Sequence, residues 1–124
     1  MSFDFFQTSS FRLKAKKLGY VTLGKKTWDH TTKERHREHI EYNEQLLKET
    51  LRNPDNIIQE DDPNIYLYVK KIKKYRIKPG ITIDTQRFRY FTIVVQKDRR
   101  FIITIYPSPV IAGGKQIWPR QSQK

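Results

Sequence analysis

Residues 88–106 read FRYFTIVVQKDRRFIITIY. Two β-branched and aromatic runs, Phe88 to Gln96 and Arg100 to Tyr106, flank the polar break Lys97-Asp98-Arg99. Such side chains pack well on a pleated surface, and a short polar break between two of these runs predicts an antiparallel hairpin. Upstream, Ile65 to Ile72 alternates Tyr66, Tyr68 and Lys70 with Ile65, Leu67, Val69 and Lys71, the two-residue period of a half-buried strand. Ahead of it come a shorter strand, Asn56 to Gln59, and the acidic turn Glu60-Asp61-Asp62-Pro63-Asn64. Pro79-Gly80 marks another turn, and Ile81 to Arg87 carries no clear pattern.

Working further outward, Trp28 to Arg52 contains no Gly or Pro and is rich in helix-forming residues, with Thr27 placed to cap it. His36, Ile40, Asn43, Leu47 and Leu51 recur at helical spacing, which predicts one buried stripe, while Lys33, Glu34, Glu41 and Lys48 face water. Asn53-Pro54-Asp55 stops the helix, because the residue before proline is biased out of helical geometry. Gly19 to Leu23 reads as a short strand. Helix first and antiparallel strands afterwards predict an α+β domain with a helical layer on one face of a sheet. The expected organisation is a basic N-terminal arm over 1–17, a folded domain over 18–107 and a loosely ordered tail over 108–124, with Pro107 and Pro109 ending the sheet.

Composition narrows the function. In 124 residues, 25 Lys and Arg face 13 Asp and Glu, a formal charge of +12. Folding alone does not require that self-repulsion, and a polyanionic partner explains it; a merely solubilising surface is the alternative. Absence of cysteine excludes a disulfide framework, a thiol nucleophile and Cys-containing zinc sites, and is compatible with a reducing, cytoplasmic setting. Met1 to Ser10 has no basic segment ahead of an apolar one, and no apolar run approaches membrane-spanning length, so neither secretion nor membrane insertion is expected.

His30, His36 and His39 lie within ten residues beside Lys33, Arg35 and Arg37. RNA cleavage by its own 2′-hydroxyl needs a base for that oxygen, an acid for the departing 5′-oxygen and a cation for the phosphate. Histidine and arginine fill these roles without metal or cofactor; equally, His36 can be a core residue with His30 and His39 solvated. His36 and His39 at i and i+3 can share an ion, but Arg35 and Arg37 repel a cation and no carboxylate completes a known zinc spacing, so no metal is expected. The run Lys70, Lys71, Lys73, Lys74, Tyr75, Arg76 and the residues Arg87 and Arg89 mix cations with aromatics, as contact with phosphates and bases requires. A solvated strand edge is the plainer reading. Thr104 and Tyr106 alternate with Ile103 and Ile105 and so share one face of a strand, where their hydroxyls can hold a phosphate or simply make sheet contacts.

Trp28-Asp29-His30, Arg35-His36, Leu51-Arg52-Asn53-Pro54-Asp55-Asn56-Ile57 and Ile102-Ile103-Thr104-Ile105-Tyr106-Pro107 together resemble the phage- and toxin-associated nucleases of the barnase-EndoU-colicin-RelE (BECR) superfamily, over about residues 18 to 107. The resemblance implies an N-terminal helical part packed on a four-stranded antiparallel sheet and metal-independent endoribonuclease activity of the toxin type. It carries His30, Arg35 and His36 over as the helix-borne catalytic groups and Thr104 and Tyr106 as the polar positions of the last strand. Arg37 stands where family members commonly have proline, which leaves the helix unbroken. The partners implied are RNA and an acidic antitoxin or immunity protein. A non-catalytic basic nucleic-acid-binding module, with structural histidines, is the alternative.

Overall fold

A computed structural model describes residues 10–29, 44–71, 89–108 and 113–119. Their elements are β1 (Ser10–Ala15), β2 (Gly19–Gly24), α1 (Lys25–Asp29), α2 (Glu44–Arg52), β3 (Asn56–Gln59), β4 (Ile65–Lys71), β5 (Tyr90–Gln96), β6 (Phe101–Ser108) and β7 (Lys115–Trp118). All seven strands join one mixed sheet in the order β1-β2-β6-β5-β4-β3-β7. Neighbours pair antiparallel except β2 and β6, which run parallel and meet at Thr22 and Phe101.

This overturns the expected α+β architecture of an N-terminal helical part on a four-stranded antiparallel sheet. The described structure is mostly β, because segments expected to lie outside the folded domain at both ends become strands. β1 forms from the expected N-terminal arm, whose residues Phe11, Leu13 and Ala15 alternate with Arg12 and Lys14. β7 forms from the expected tail and pairs with β3. Gly114 permits that pairing: at φ 137° and with a hypothetical Cβ only 2.7 Å from the Gln59 carbonyl oxygen, it is a close approach that no side chain tolerates. β6 also runs through Pro107 to Ser108 instead of ending before it.

The helix expected without a break over Trp28–Arg52 is described as α1 and α2, residues 30–43 lying outside the described residues. α1 already begins at Lys25, so Thr27 sits inside it rather than at its cap, and its hydroxyl donates to the Ile102 carbonyl at 3.2 Å. In α2, Leu46, Leu47 and Leu51 are fully buried, one helical stripe against the sheet. They join Val21, Leu23, Trp28, Ile57, Tyr68, Phe91, Ile93, Val95, Ile102 and Ile105 in the main core. A smaller cluster, Ile58, Leu67 and Val69 with Ile65, Tyr90 and Val94, occupies the opposite face. β4 is therefore buried on both faces at Tyr66 to Val69, not half-buried as its alternation suggests.

The turn after β1 ties these parts together. Lys16 N donates to the Leu51 carbonyl at 2.9 Å, satisfying an end carbonyl of α2. The Lys16 carbonyl accepts from the Tyr68 hydroxyl, and the Lys16 ammonium lies 4.7 Å from the centroid of the Trp118 ring. Trp118 is on β7 and Lys16 follows β1, so the two ends of the strand order approach one another and the sheet curls around α2.

Burial, and secondarily Tyr66, push the Tyr68 phenol far above its ordinary range. Its folded-state pKa is raised, so the stability it contributes is complete below about pH 10 and is lost as pH rises beyond that. Tyr68→Phe removes the bond to Lys16 and should cost about 1 kcal/mol in denaturant unfolding at pH 7. The same variant should lose less stability than the parent when the measurement is repeated above pH 10.

Candidate functional site

The outer face of β4, β5 and β6, opposite α2, carries three cross-strand rows. Lys71, Tyr90 and Ser108 form the first, Val69, Thr92 and Tyr106 the second, and Leu67, Val94 and Thr104 the third. With neighbouring strands about 4.8 Å apart, the three strands bring these groups within about 10 Å across the sheet. A register shift between Val94 and Val95 adds one residue on β6, placing Ile103 between the pairs Ile102–Val95 and Thr104–Val94. Thr104 and Tyr106 remain on one face.

The hydroxyls there are not scattered. Thr92 Oγ1 and Ser108 Oγ lie 3.4 Å apart, and both residues are buried. Tyr106 is half-buried beside them, and burial, then the charge of Glu60, push its phenol upward. At neutral pH it is an O–H donor with no charge to repel a phosphate.

Of the residues singled out in the sequence, Thr104, Tyr106 and Lys71 share this face, and Arg89 lies at the Lys71 end, one residue before Tyr90. Arg89 is exposed just before β5, with its backbone N–H donating to the Ser108 carbonyl at 3.0 Å. Lys70 belongs to the other parity of β4, and its ammonium donates to the Asn53 carbonyl at 2.8 Å, holding the chain that leaves α2. His30, Arg35 and His36, and with them His39, Lys73, Lys74, Arg76 and Arg87, lie outside the described residues. Among the described residues no group of three His, Cys, Asp or Glu side chains is arranged to hold a metal ion.

A second basic region sits at the other end of β4 and β5. The turn Lys97–Arg100 is fastened to the turn before β4: Asn64 Nδ2 donates to Asp98 Oδ1 at 2.9 Å, Asp98 N to Asn64 Oδ1 at 2.8 Å and Lys97 N to the Asn64 carbonyl at 2.7 Å. Asp98, the acid of this turn, is thus engaged with an amide while Lys97, Arg99 and Arg100 stay exposed. Leu18, Pro63, Asn64, Lys97, Asp98 and Arg100 line an open cleft of about 440 Å³.

Two residues at this end hold left-handed backbone without being glycine, Lys17 at φ 74° and Arg100 at φ 52°. Each costs about 1–2 kcal/mol relative to a right-handed conformation. Both turns therefore retain a cation where Gly or Asn is the low-strain choice. The sequence places Arg99 and Arg100 at the hairpin turn and assigns no site role to Lys17, Arg12 or Tyr20. A basic residue at a turn position that favours glycine is the signal that marks Lys17, whereas Arg12 and Tyr20 are strand residues that no local signal sets apart.

Comparison with protein-family models, with curated proteins and with solved structures returned no match to this chain.

Replacing Arg100 by Gly relieves the backbone strain but adds unfolded-state freedom, so a net stabilisation of about 0.5–1 kcal/mol is expected from thermal or urea unfolding. Arg100→Ala keeps the strain and gains no such stability, which separates the backbone effect from the lost charge.

Proposed function

We propose that the protein is a metal-independent endoribonuclease that holds RNA on the outer face of β4, β5 and β6. The observation carrying this reading is the row of hydroxyls. The half-buried Thr104 and Tyr106 share one sheet face with Lys71, over the buried Thr92–Ser108 pair, and Arg89 stands at the same end. Neutral donors with cations beside them suit a phosphodiester, whose charge grows as the bond is cut. The net charge of +12 and the resemblance of the Trp28-Asp29-His30, Arg35-His36 and Ile102–Pro107 strings to toxin-associated nucleases support the same reading.

In the proposed reaction the RNA 2′-oxygen attacks the adjacent phosphorus while a histidine takes its proton. The bond from phosphorus to the 5′-oxygen breaks, and that oxygen receives a proton from the second acid–base group. The products are a 2′,3′-cyclic phosphate and a 5′-hydroxyl. His30 and His36 are assigned the proton transfers, Arg35 the charge on the phosphate, and Thr104 and Tyr106 its positioning. A nuclease of this kind requires a neutralising partner in its own cell, and an acidic antitoxin or immunity protein complements the basic surface.

Purified protein should cut total RNA in the presence of EDTA, with cleavage abolished in His30→Ala and in His36→Ala proteins whose circular dichroism is unchanged. Binding without cleavage would reduce the protein to a nucleic-acid-binding module.

The salt dependence of binding is a separate test. Four to six phosphate contacts give a slope of roughly −3 to −4 in log affinity against log salt for a single strand. Changing Lys73 and Lys74 together to Ala should flatten that slope by about 1 to 1.5. An unchanged slope removes them from the binding track.

A further inference from the structure

The large apolar side chains exposed among the described residues are Tyr20 at 51%, Ile103 at 43% and Phe101 at 36%, and all three are on the adjacent strands β2 and β6. Exposed aromatics on neighbouring strands of an otherwise well-buried sheet are a patch, not scatter. Register defines it further. Arg12 of β1 pairs with Thr22 of β2, which pairs with Phe101 of β6, while Lys14 pairs with Tyr20. The inward positions of these strands, Ala15, Val21, Leu23 and Ile102, are buried in the core, so Arg12, Lys14, Tyr20, Thr22 and Phe101 share the outer face.

Two details prepare the aromatic rings. The Arg12 guanidinium lies 5.0 Å from the Tyr20 ring centroid, a cation stacked on a ring that is half exposed. Next to Phe101 stands Gly24, where a Cβ would come 3.3 Å from the Phe101 Cζ, so the missing side chain leaves space for the Phe101 ring over β2. Cations surround the pair: Arg12 and Lys14 on β1, with Lys17 and Arg100 on the strained turns at the ends of β1 and β5. The nearby acids are committed, Asp29 to Lys25 and Asp98 to Asn64.

We propose that this surface is a stacking platform for single-stranded RNA, with Tyr20 and Phe101 receiving bases and Arg12, Lys14 and Arg100 receiving phosphates. The proposal rests on the RNA reading above and extends its site from Thr104 through Ile103 to β2. Along β2, Tyr20 and the Thr22 position beside Phe101 are separated by two residues, about 7 Å. That is about twice the 3.4 Å rise of a stacked strand, the spacing at which a ring can enter between bases. Duplex bases hide their faces in their own stack, whereas single-stranded bases offer them. An acidic polypeptide would satisfy the cations but would leave the aromatic faces unused.

The test measures binding of 2′-O-methyl decauridylate, which cannot be cleaved by its own 2′-hydroxyl, against an abasic ribose-phosphate decamer of equal charge. The wild-type protein should prefer the base-bearing strand by roughly tenfold or more. Tyr20→Leu/Phe101→Leu, which retains apolar area but no ring, should bind the two decamers equally. Tyr20→Trp/Phe101→Tyr should restore the preference, and circular dichroism reports whether each variant folds.

A wild-type preference that survives in the leucine variant overturns the platform alone and leaves the RNA reading standing. Equal binding of both decamers by the wild type does the same. Failure to bind either decamer overturns both readings. Preferential binding of polyglutamate of matched charge identifies a protein-docking face and overturns the platform.

Discussion

Everything in this fold converges on Lys16, the first residue of the turn after β1. Its N–H donates to the Leu51 carbonyl at the end of α2, its carbonyl accepts from the Tyr68 hydroxyl of β4, and its ammonium lies over the Trp118 ring of β7. Three elements far apart in sequence are thereby held against one turn. Without such a tie an open sheet of seven strands would expose the apolar face that α2 covers. With it, Leu46, Leu47 and Leu51 sit fully buried among Phe91, Ile93 and Tyr68. The two backbone bonds of this closure would be made by any residue but proline, and the Lys16 side chain adds the ammonium over the Trp118 ring.

The other side of the sheet is itself buried at Ile58, Leu67, Val69 and Thr92 and polar around them. The outer face of β4 to β6 carries hydroxyls and a lysine, and the outer face of β1, β2 and β6 carries aromatics and arginine, so β6 belongs to both. The parallel contact of β2 with β6 is what makes them continuous. It brings a strand from near the N-terminus beside the strand that bears Thr104 and Tyr106. Backbone strain falls in the same region: Lys17 and Arg100 keep charge at turn tips in left-handed backbone, at the expense of stability.

The hairpin, the acidic turn, the short strand Asn56–Gln59 and the buried stripe at Leu47 and Leu51 were legible in sequence, because each depends on neighbours within a few residues. Thr104 and Tyr106 were legible as a same-face pair for that reason too. Their company was not: Thr92 and Ser108 meet across a ladder, and a bulge shifts the register at Val94 and Val95, neither of which alternation reveals. The stretch 108–124 illustrates the reverse error, since within a tail expected to be loose Gly114 is the only residue that fits against the Gln59 carbonyl. Lys70 and Lys71 look equivalent in a basic run, yet strand parity puts one on the outer face and gives the other to the Asn53 carbonyl.

By itself, then, the sequence determined the basic surface, the absence of thiol chemistry and the local elements whose apolar period is long enough to read. Tertiary structure alone decided that β1 and β7 are strands of the sheet, that β2 runs parallel to β6, and that cations from separate turns gather at one end. The reason is physical. A local period records which side of an element avoids water, whereas strand order and closure depend on hydrogen bonds and packing between segments tens of residues apart, to which local periodicity is blind.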